Sequence, residues 1–305
     1  MVPPLSMTSL PTQRTLPNES GPAEHAQALR RGERFAFGAN WRRFLDVLDE
    51  DRICQAERSV RELLGVSDLS GTRFLDVGCG SGLFSLAAHR LGARVRSFDF
   101  DPASVACTAE LRRRYADNDD TWTIEEGSVL DATYLAALGT YDVVYSWGVL
   151  HHTGAMWQAL EGVASLVANG GSLAIAIYND QGSWSNRWRV IKRTYCSGAM
   201  GRRLVCATCI PVFVFRGLVS DAIGGRNPFA RYTEYRRNRG MSVFHDWIDW
   251  LGGYPFEVAK PEVIFDYFRH RGFELSRLTT AGGTVGCNEF VFRRRAAEVN
   301  LVKAR

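Results

Sequence analysis

The chain has 305 residues, enough for one domain with an elaboration or for two small ones. Its 46% hydrophobic and 23% charged content belongs to a soluble globular protein, and a net charge of +4 is too mild to argue for nucleic acid. Seven cysteines, scattered and odd in number, point to reduced thiols and a cytoplasmic setting, not a disulfide framework. The Pro/Ser/Thr-rich opening lacks a basic n-region and an apolar h-region, so residues 1–33 read as a disordered tail and not a signal peptide. Residues 34–70 follow as an N-terminal helical segment. Arg34 to Leu64 reads as helical, with apolar positions 44, 45, 48, 53, 60, 63 and 64 forming a stripe.

Around residue 75 a strand-like run, Phe74-Leu75-Asp76-Val77, enters Gly78-Cys79-Gly80-Ser81-Gly82. An apolar-periodic helix follows, then a second strand, Arg94 to Phe98, ending on Asp99. Strand, glycine turn, helix, strand and acid within about thirty residues is the order a nucleotide-binding βαβ unit needs. The glycines let the backbone approach a ligand where a Cβ would collide. Asp99 stands where a carboxylate can accept hydrogen bonds from both ribose hydroxyls. The spacing argues against a dinucleotide, because Leu83 occupies the position where the third fingerprint glycine would stand. Asp76, just before the loop, suits an ammonium group and opposes a phosphate.

At these residues the chain resembles the class I S-adenosylmethionine-dependent methyltransferases, whose first motif is strand, Asp/Glu-x-Gly-x-Gly, helix. The resemblance covers Arg73–Tyr178 and Pro261–Arg294, and is strongest to the ubiquinone-biosynthesis-like methylases. It implies an α/β, doubly wound Rossmann-like seven-stranded sheet with an antiparallel terminal hairpin, and S-adenosylmethionine as cofactor. It also implies cofactor contacts from Gly78, Cys79 and Gly80 in the loop, and from Asp99 and Phe100 beyond the second strand. In the family an N-terminal helical segment lies across the cofactor, so Trp41 covers the sulfonium or Phe37 shapes the acceptor pocket. The alternative is that both aromatics merely pin the helix to the sheet.

Asp101-Pro102 is an N-cap followed by Pro at N1, opening a helix to about Tyr115. A polar turn at 117–120 leads to a short strand at Thr121–Ile124, and its exit, Glu126 to Asp131, resembles the family's adenine-binding turn. Ser128 stands where many members carry Asp, and the backbone of Val129 can serve as well. The next strand, Tyr141 to Ser146, runs into Trp147-Gly148-Val149-Leu150-His151-His152. Ligands sit beyond the carboxyl ends of parallel strands, so Ser146 and Trp147 face the cofactor. A helix at 154–168, a stop at Asn169-Gly170-Gly171 and a strand from Ser172 to Tyr178 complete the Rossmann-like core, 71–178.

Residues 179–260 form an insertion too long for an ordinary connection. It carries thirteen Lys and Arg against six acids, and Trp184, Trp188, Trp247 and Trp250. It reads as a mainly helical cap over the acceptor, with Tyr178, Trp247, Tyr254 and Glu257 as pocket candidates. The basic excess hints at an anionic acceptor, with a solvated positive face as the alternative. Cys206-x-x-Cys209 suits a packed helix face better than zinc. Leu204 to Val219 is nearly all apolar, but Pro211 and Arg216 interrupt it and it is short of a membrane span, so no transmembrane segment is expected. A cap core helix, a homodimer contact and a surface for lipid substrates stay open for it. Residues 261–295 read as a helix and the terminal β-hairpin, and 296–305 as a tail.

Methyl transfer from a sulfonium is an in-line displacement, so positioning and desolvation carry much of it. A hydroxyl acceptor needs its proton removed, and His is the natural base. The candidates are His151 and His152, and His245 with Asp246. No acid is spaced to make the histidine pair a metal site, and none is expected. The expected function is transfer of a methyl group to a small organic acceptor, O-methylation favoured. N-methylation of a peptide or modified amino acid, RNA methylation, and a cofactor-binding sensor without chemistry are the alternatives.

Overall fold

A computed structural model of the chain describes residues 27–46, 48–116, 120–225, 227, 243–282 and 286–296. The expected tails lie outside the described residues up to position 26 and from 297 onward, as does most of the 117–120 turn. The end of the presumed N-terminal tail is ordered. Positions 27–30 are helical, and a Cβ on Gly32 would stand 2.1 Å from the Cys196 carbonyl oxygen, so this stretch is pressed against the insertion.

Seven strands form one sheet in the order β3-β2-β1-β4-β5-β7-β6. They are β1 (Arg73–Val77), β2 (Arg94–Asp99), β3 (Trp122–Glu126), β4 (Tyr141–Trp147), β5 (Val167–Tyr178), β6 (Phe273–Thr279) and β7 (Cys287–Arg294). The first five are parallel and β7 runs antiparallel to both β5 and β6. Successive residues of β1 go to opposite faces: Phe74 packs into one core, and Leu75 and Val77 into the other. Both faces are covered by helices, so burial runs unbroken from Phe74 to Val77 in β1 instead of alternating.

One face carries α2 (Glu50–Leu64), α3 (Leu83–Arg90) and α4 (Pro102–Tyr115). The other carries α5 (Ala132–Leu138), α6 (Met156–Ser165) and α10 (Pro261–Arg269). Ahead of them stands α1 (Gly38–Leu45). The expected single helix over Arg34–Leu64 is therefore two. Asp49 is extended and accepts a hydrogen bond from the Arg52 amide, and Glu50 and Asp51 fill the next first turn, where the helix dipole favours acids. That cap restarts the helix at Glu50.

Two further boundaries differ from the sequence expectation. The helix expected at 154–168 runs only from Met156 to Ser165, and Asn169-Gly170-Gly171 is a bulge inside β5 instead of a helix stop. The β4–β5 register jumps from Tyr141↔Val167 to Val143↔Ser172 across it. In the insertion, α7 (Ser183–Cys196), α8 (Ala199–Ile223) and α9 (Val243–Gly252) build a small core of their own around Tyr195, Val205 and Leu251. Neither Pro211 nor Arg216 interrupts α8. It is continuous for 25 residues, long and apolar enough by length and composition to cross a membrane. Cys206 and Cys209 are free thiols, half-buried on its packed face.

Candidate active site

The glycine loop between β1 and α3 is built as a close-approach surface. Gly78 and Gly80 have φ of +78° and +56°, conformations that side chains resist. A Cβ on Gly78 would lie 2.4 Å from Val149 Cγ1, and one on Gly80 would lie 3.0 Å from Trp41 Nε1. The loop is tied to β2 from both sides. The amides of Gly78 and Cys79 donate to the Phe98 carbonyl at 2.8 and 3.1 Å, and the Gly80 amide donates to Asp99 Oδ2 at 3.0 Å. Asp99 Oδ1 accepts from the Asp101 amide at 2.9 Å, so the carboxylate is fixed at the strand's end by backbone on either side. Cys79 is buried, its thiol pushed well up by desolvation, which makes it no nucleophile.

Asp76 lies beneath this loop, 3% exposed. The Ser85 hydroxyl donates to its Oδ2, Ser85 and Ser97 share a hydrogen bond of 2.8 Å, and Trp122 Nε1 donates to Ser97 Oγ at 2.9 Å. No cation is paired with Asp76 among the described residues. Burial, less the help of Ser85 and with the repulsion of Asp99, pushes its carboxyl up to about 7. A buried carboxylate without a cation, beside a loop with no Cβ to spare, fits a ligand that carries an ammonium group and a ribose.

α1 closes over the loop. The Gly38 amide donates to Asp101 Oδ2 at 2.9 Å, so the helix meets α4 where that helix begins, and Trp41 comes to rest on Gly80. Arg34 straps the far side. Its guanidinium lies 5.1 Å from the Phe100 ring centroid and donates to the Thr153 carbonyl at 2.9 Å. Around the rest of the rim, Ser128 Oγ accepts from the Leu130 amide, Val129 is buried in the core, and Ser146 Oγ donates to the Val77 carbonyl. Trp147 stacks on Tyr145, with ring centroids 5.6 Å apart.

The histidine pair follows β4 in a single 3-10 turn, Leu150–His152. His151 is fully buried, its ring centroid 3.9 Å from that of Tyr178, and its Nε2 has no hydrogen-bond partner among the described residues. Burial holds it neutral, well below the ordinary histidine range. His152 lies 5.0 Å from Phe37, ring to ring, and its Nδ1 is 2.7 Å from the Pro255 carbonyl oxygen. That contact requires a proton on Nδ1 and leaves Nε2 with the lone pair. Desolvation, opposed by the Pro255 bond and reinforced by Lys192 and Arg34, holds His152 down at about 3.

The insertion contributes a group that sequence reasoning missed. Lys192 on α7 is 0% exposed, and its Nζ stands 4.0, 4.9 and 5.7 Å from the ring centroids of Trp250, Phe256 and Tyr178. It donates to the Trp250 carbonyl, and among the described residues no carboxylate pairs with it. Burial brings it down to about 7. Its spacing held a signal: Trp188, Ile191 and Tyr195 all point into the insertion core, and Lys192 is on the same face of the helix.

The other expected pocket residues are dispersed. Both Glu257 carboxylate oxygens accept from the Met156 amide, so this side chain caps α6. Trp247 packs on Phe213 within the insertion, and the Tyr254 carbonyl accepts from the Phe35 amide. The side chains of His245 and Asp246, on α9, lie outside the described residues. Among the described residues no group of three or more His, Cys, Asp or Glu could hold a metal ion.

Parallel strands with an antiparallel pair at one edge, and a glycine loop between two acids at the carboxyl ends, match the Rossmann-like fold found in methyltransferases. The family model described as "Methyltransferase domain" matches residues 75–173. Over this span the chain resembles class I methyltransferase domains. It is similar to a tRNA U34 carboxymethyltransferase of Enterobacter sp. (strain 638), 34% identical over 38% of this chain and 35% of that protein. It is also similar to a ubiquinone biosynthesis O-methyltransferase of Escherichia fergusonii, 34% identical over 38% of this chain and 47% of that one. The chain thus spans less than half the length of these curated relatives. The solved structure of PKMT2 from Rickettsia typhi in complex with AdoHcy shares the fold, with a TM-score of 0.50 at 11% identity, covering 78% of this chain and 52% of that one.

Proposed function

We propose that this protein transfers a methyl group from S-adenosylmethionine to the oxygen of a small, anionic organic acceptor. The observation that carries the reading is the proximity of two half-sites around Tyr178. The histidine turn at the end of β4 lies against that ring, with His151 3.9 Å from it by centroids, and Lys192 Nζ stands 5.7 Å from the same centroid.

When bound, S-adenosylmethionine supplies an electrophilic methyl group on a positively charged sulfur. Asp76 holds the amino-acid ammonium, and Asp99 accepts from the ribose hydroxyls. The side-chain-free backbone at Gly78 and Gly80 admits the ligand between them. Trp41 and the Arg34–Thr153 strap exclude water, which strengthens every charge interaction inside. Lys192 gives the acceptor's negative charge a partner that the protein itself withholds. His152 Nε2 accepts the proton of the acceptor hydroxyl. A neutral imidazole held at about 3 is a weak base when the pocket is empty, and an acceptor anion beside it raises its basicity. Phe37 and Tyr178 pack on the ring of His152, with centroids 5.0 and 5.4 Å away.

The test is turnover with methyl-labelled S-adenosylmethionine against a panel of hydroxy acids, phenolic acids and amines. The reading expects label on oxygen of an anionic acceptor. Label on nitrogen, or acceptors of neutral charge alone, would overturn it.

A further inference from the structure

The exposed side of α8 is the least expected surface on the molecule. Its outward stripe carries Met200, Leu204, Val212, Phe215, Val219 and Ile223 at helical spacing, with Met200 79%, Phe215 67% and Ile223 84% exposed. Isolated exposed apolar residues are ordinary, but a continuous apolar helix face marks a contact surface.

Charge says what the contact is. Arg187, Arg189, Arg193, Arg202, Arg203 and Arg216 on α7 and α8 are all exposed. Between residues 183 and 223 the sequence has one acid, Asp221, and it is buried. A large apolar stripe on a helix that also carries Arg202, Arg203 and Arg216, with no exposed carboxylate on either helix, complements an anionic lipid surface.

Two other arrangements fit less well. A two-fold contact with a second copy would set these arginines against themselves, and like-charge juxtaposition opposes association. A spanning helix would need its inner side stripped from the protein. There Val205 and Asp221 are buried, and Phe213 packs against Trp188 with ring centroids 6.3 Å apart.

We infer that α8 docks the protein on an anionic membrane surface, lying in the plane of the headgroups with Phe215 and Ile223 inserted and its arginines on lipid phosphates. The inference does not depend on the proposed chemistry.

The experiment is flotation of the full chain with vesicles of phosphatidylglycerol and phosphatidylcholine, and with phosphatidylcholine alone. Binding to the anionic vesicles is expected to exceed binding to the neutral ones by at least about 10-fold, and to fall steeply in about 1 M salt. The R202Q/R203Q/R216Q variant is expected to lose on the order of 100-fold in partitioning. Phe215→Ser with Val219→Ser is expected to release the protein while its circular dichroism and affinity for S-adenosylhomocysteine stay unchanged. Absence of binding, binding indifferent to these variants, or retention after alkaline carbonate extraction, as a spanning helix shows, would overturn the inference. So would a stable dimer in light scattering that floats with neither vesicle.

Discussion

Lys192 Nζ stands 4.0 Å from the centroid of the Trp250 ring and donates to the carbonyl of that same residue. Trp250 lies in the last turn of α9, whose carbonyl end is the negative pole of the helix. The ammonium is therefore held by π faces and a helix terminus, without a carboxylate. The insertion thereby brings a buried positive charge to the ends of β4 and β5, beside the histidine turn.

The pH dependence of stability follows from this lysine. Its pKa falls from 10.5 unfolded to about 7 folded, so the unfolded chain holds the extra proton between those values. The stability penalty is full below about pH 7 and is relieved as pH rises toward 10.5. Lys192→Met is expected to raise the melting temperature at pH 7 and to flatten its rise between pH 7 and 9. Turnover of an anionic acceptor should fall chiefly through KM. Thermal melts over that range and steady-state kinetics check both.

Asp76 gives the opposite slope. Its folded value of about 7 lies above the unfolded 3.8, so the folded protein holds the extra proton and stability falls as pH rises through that window. An ammonium ligand favours the ionised form, so binding of S-adenosylhomocysteine should release a proton near pH 7 and strengthen between pH 6 and 8. Asp76→Asn should cost on the order of 10- to 100-fold in affinity and abolish the release. Calorimetry in buffers of different ionisation enthalpy reads both.

Gly78→Ala tests the loop. The added methyl group meets Val149 and the backbone must hold φ near +78°, so a loss of about 1–3 kcal/mol in stability is expected. Val149→Ala in that background should recover the steric part and leave the backbone part. Chemical denaturation of the single and double variants separates the two.

His152→Asn should lower kcat by about 10²- to 10⁴-fold with affinity for S-adenosylhomocysteine changed less than about threefold. His151→Asn should instead lower stability, because its ring is buried against Tyr178. Measured together, kcat and melting temperature distinguish the base from its structural neighbour.

The β1 loop, β2 with Asp99, the Asp101 cap and the terminal hairpin were legible because each rests on local chemistry: glycine φ, a strand period, a capping carboxylate. Asn169-Gly170-Gly171 misled because the same glycines serve a helix stop and a strand bulge, and only the pairing of β5 with β4 decides between them. The break at 46–49 was marked by Asp49, but the apolar stripe ran through it. Lys192 was hidden among the other basic residues of the insertion, since only tertiary packing reveals that one of them is dry. Glu257 looked like a pocket carboxylate, but its partner, the Met156 amide, lies 101 positions away in sequence. Arg34 was read only as a helix start because its partners, Phe100 and Thr153, are equally remote.

The central claim is that Asp76 and Asp99, with the bare backbone between them, form a seat for a sulfonium nucleoside. Calorimetric titration of the purified chain with S-adenosylhomocysteine and, separately, with NAD addresses it most directly. The account predicts saturable one-to-one binding of S-adenosylhomocysteine, weakened in Asp99→Ala, and no heat with NAD. Saturation by NAD with no response to S-adenosylhomocysteine would contradict it.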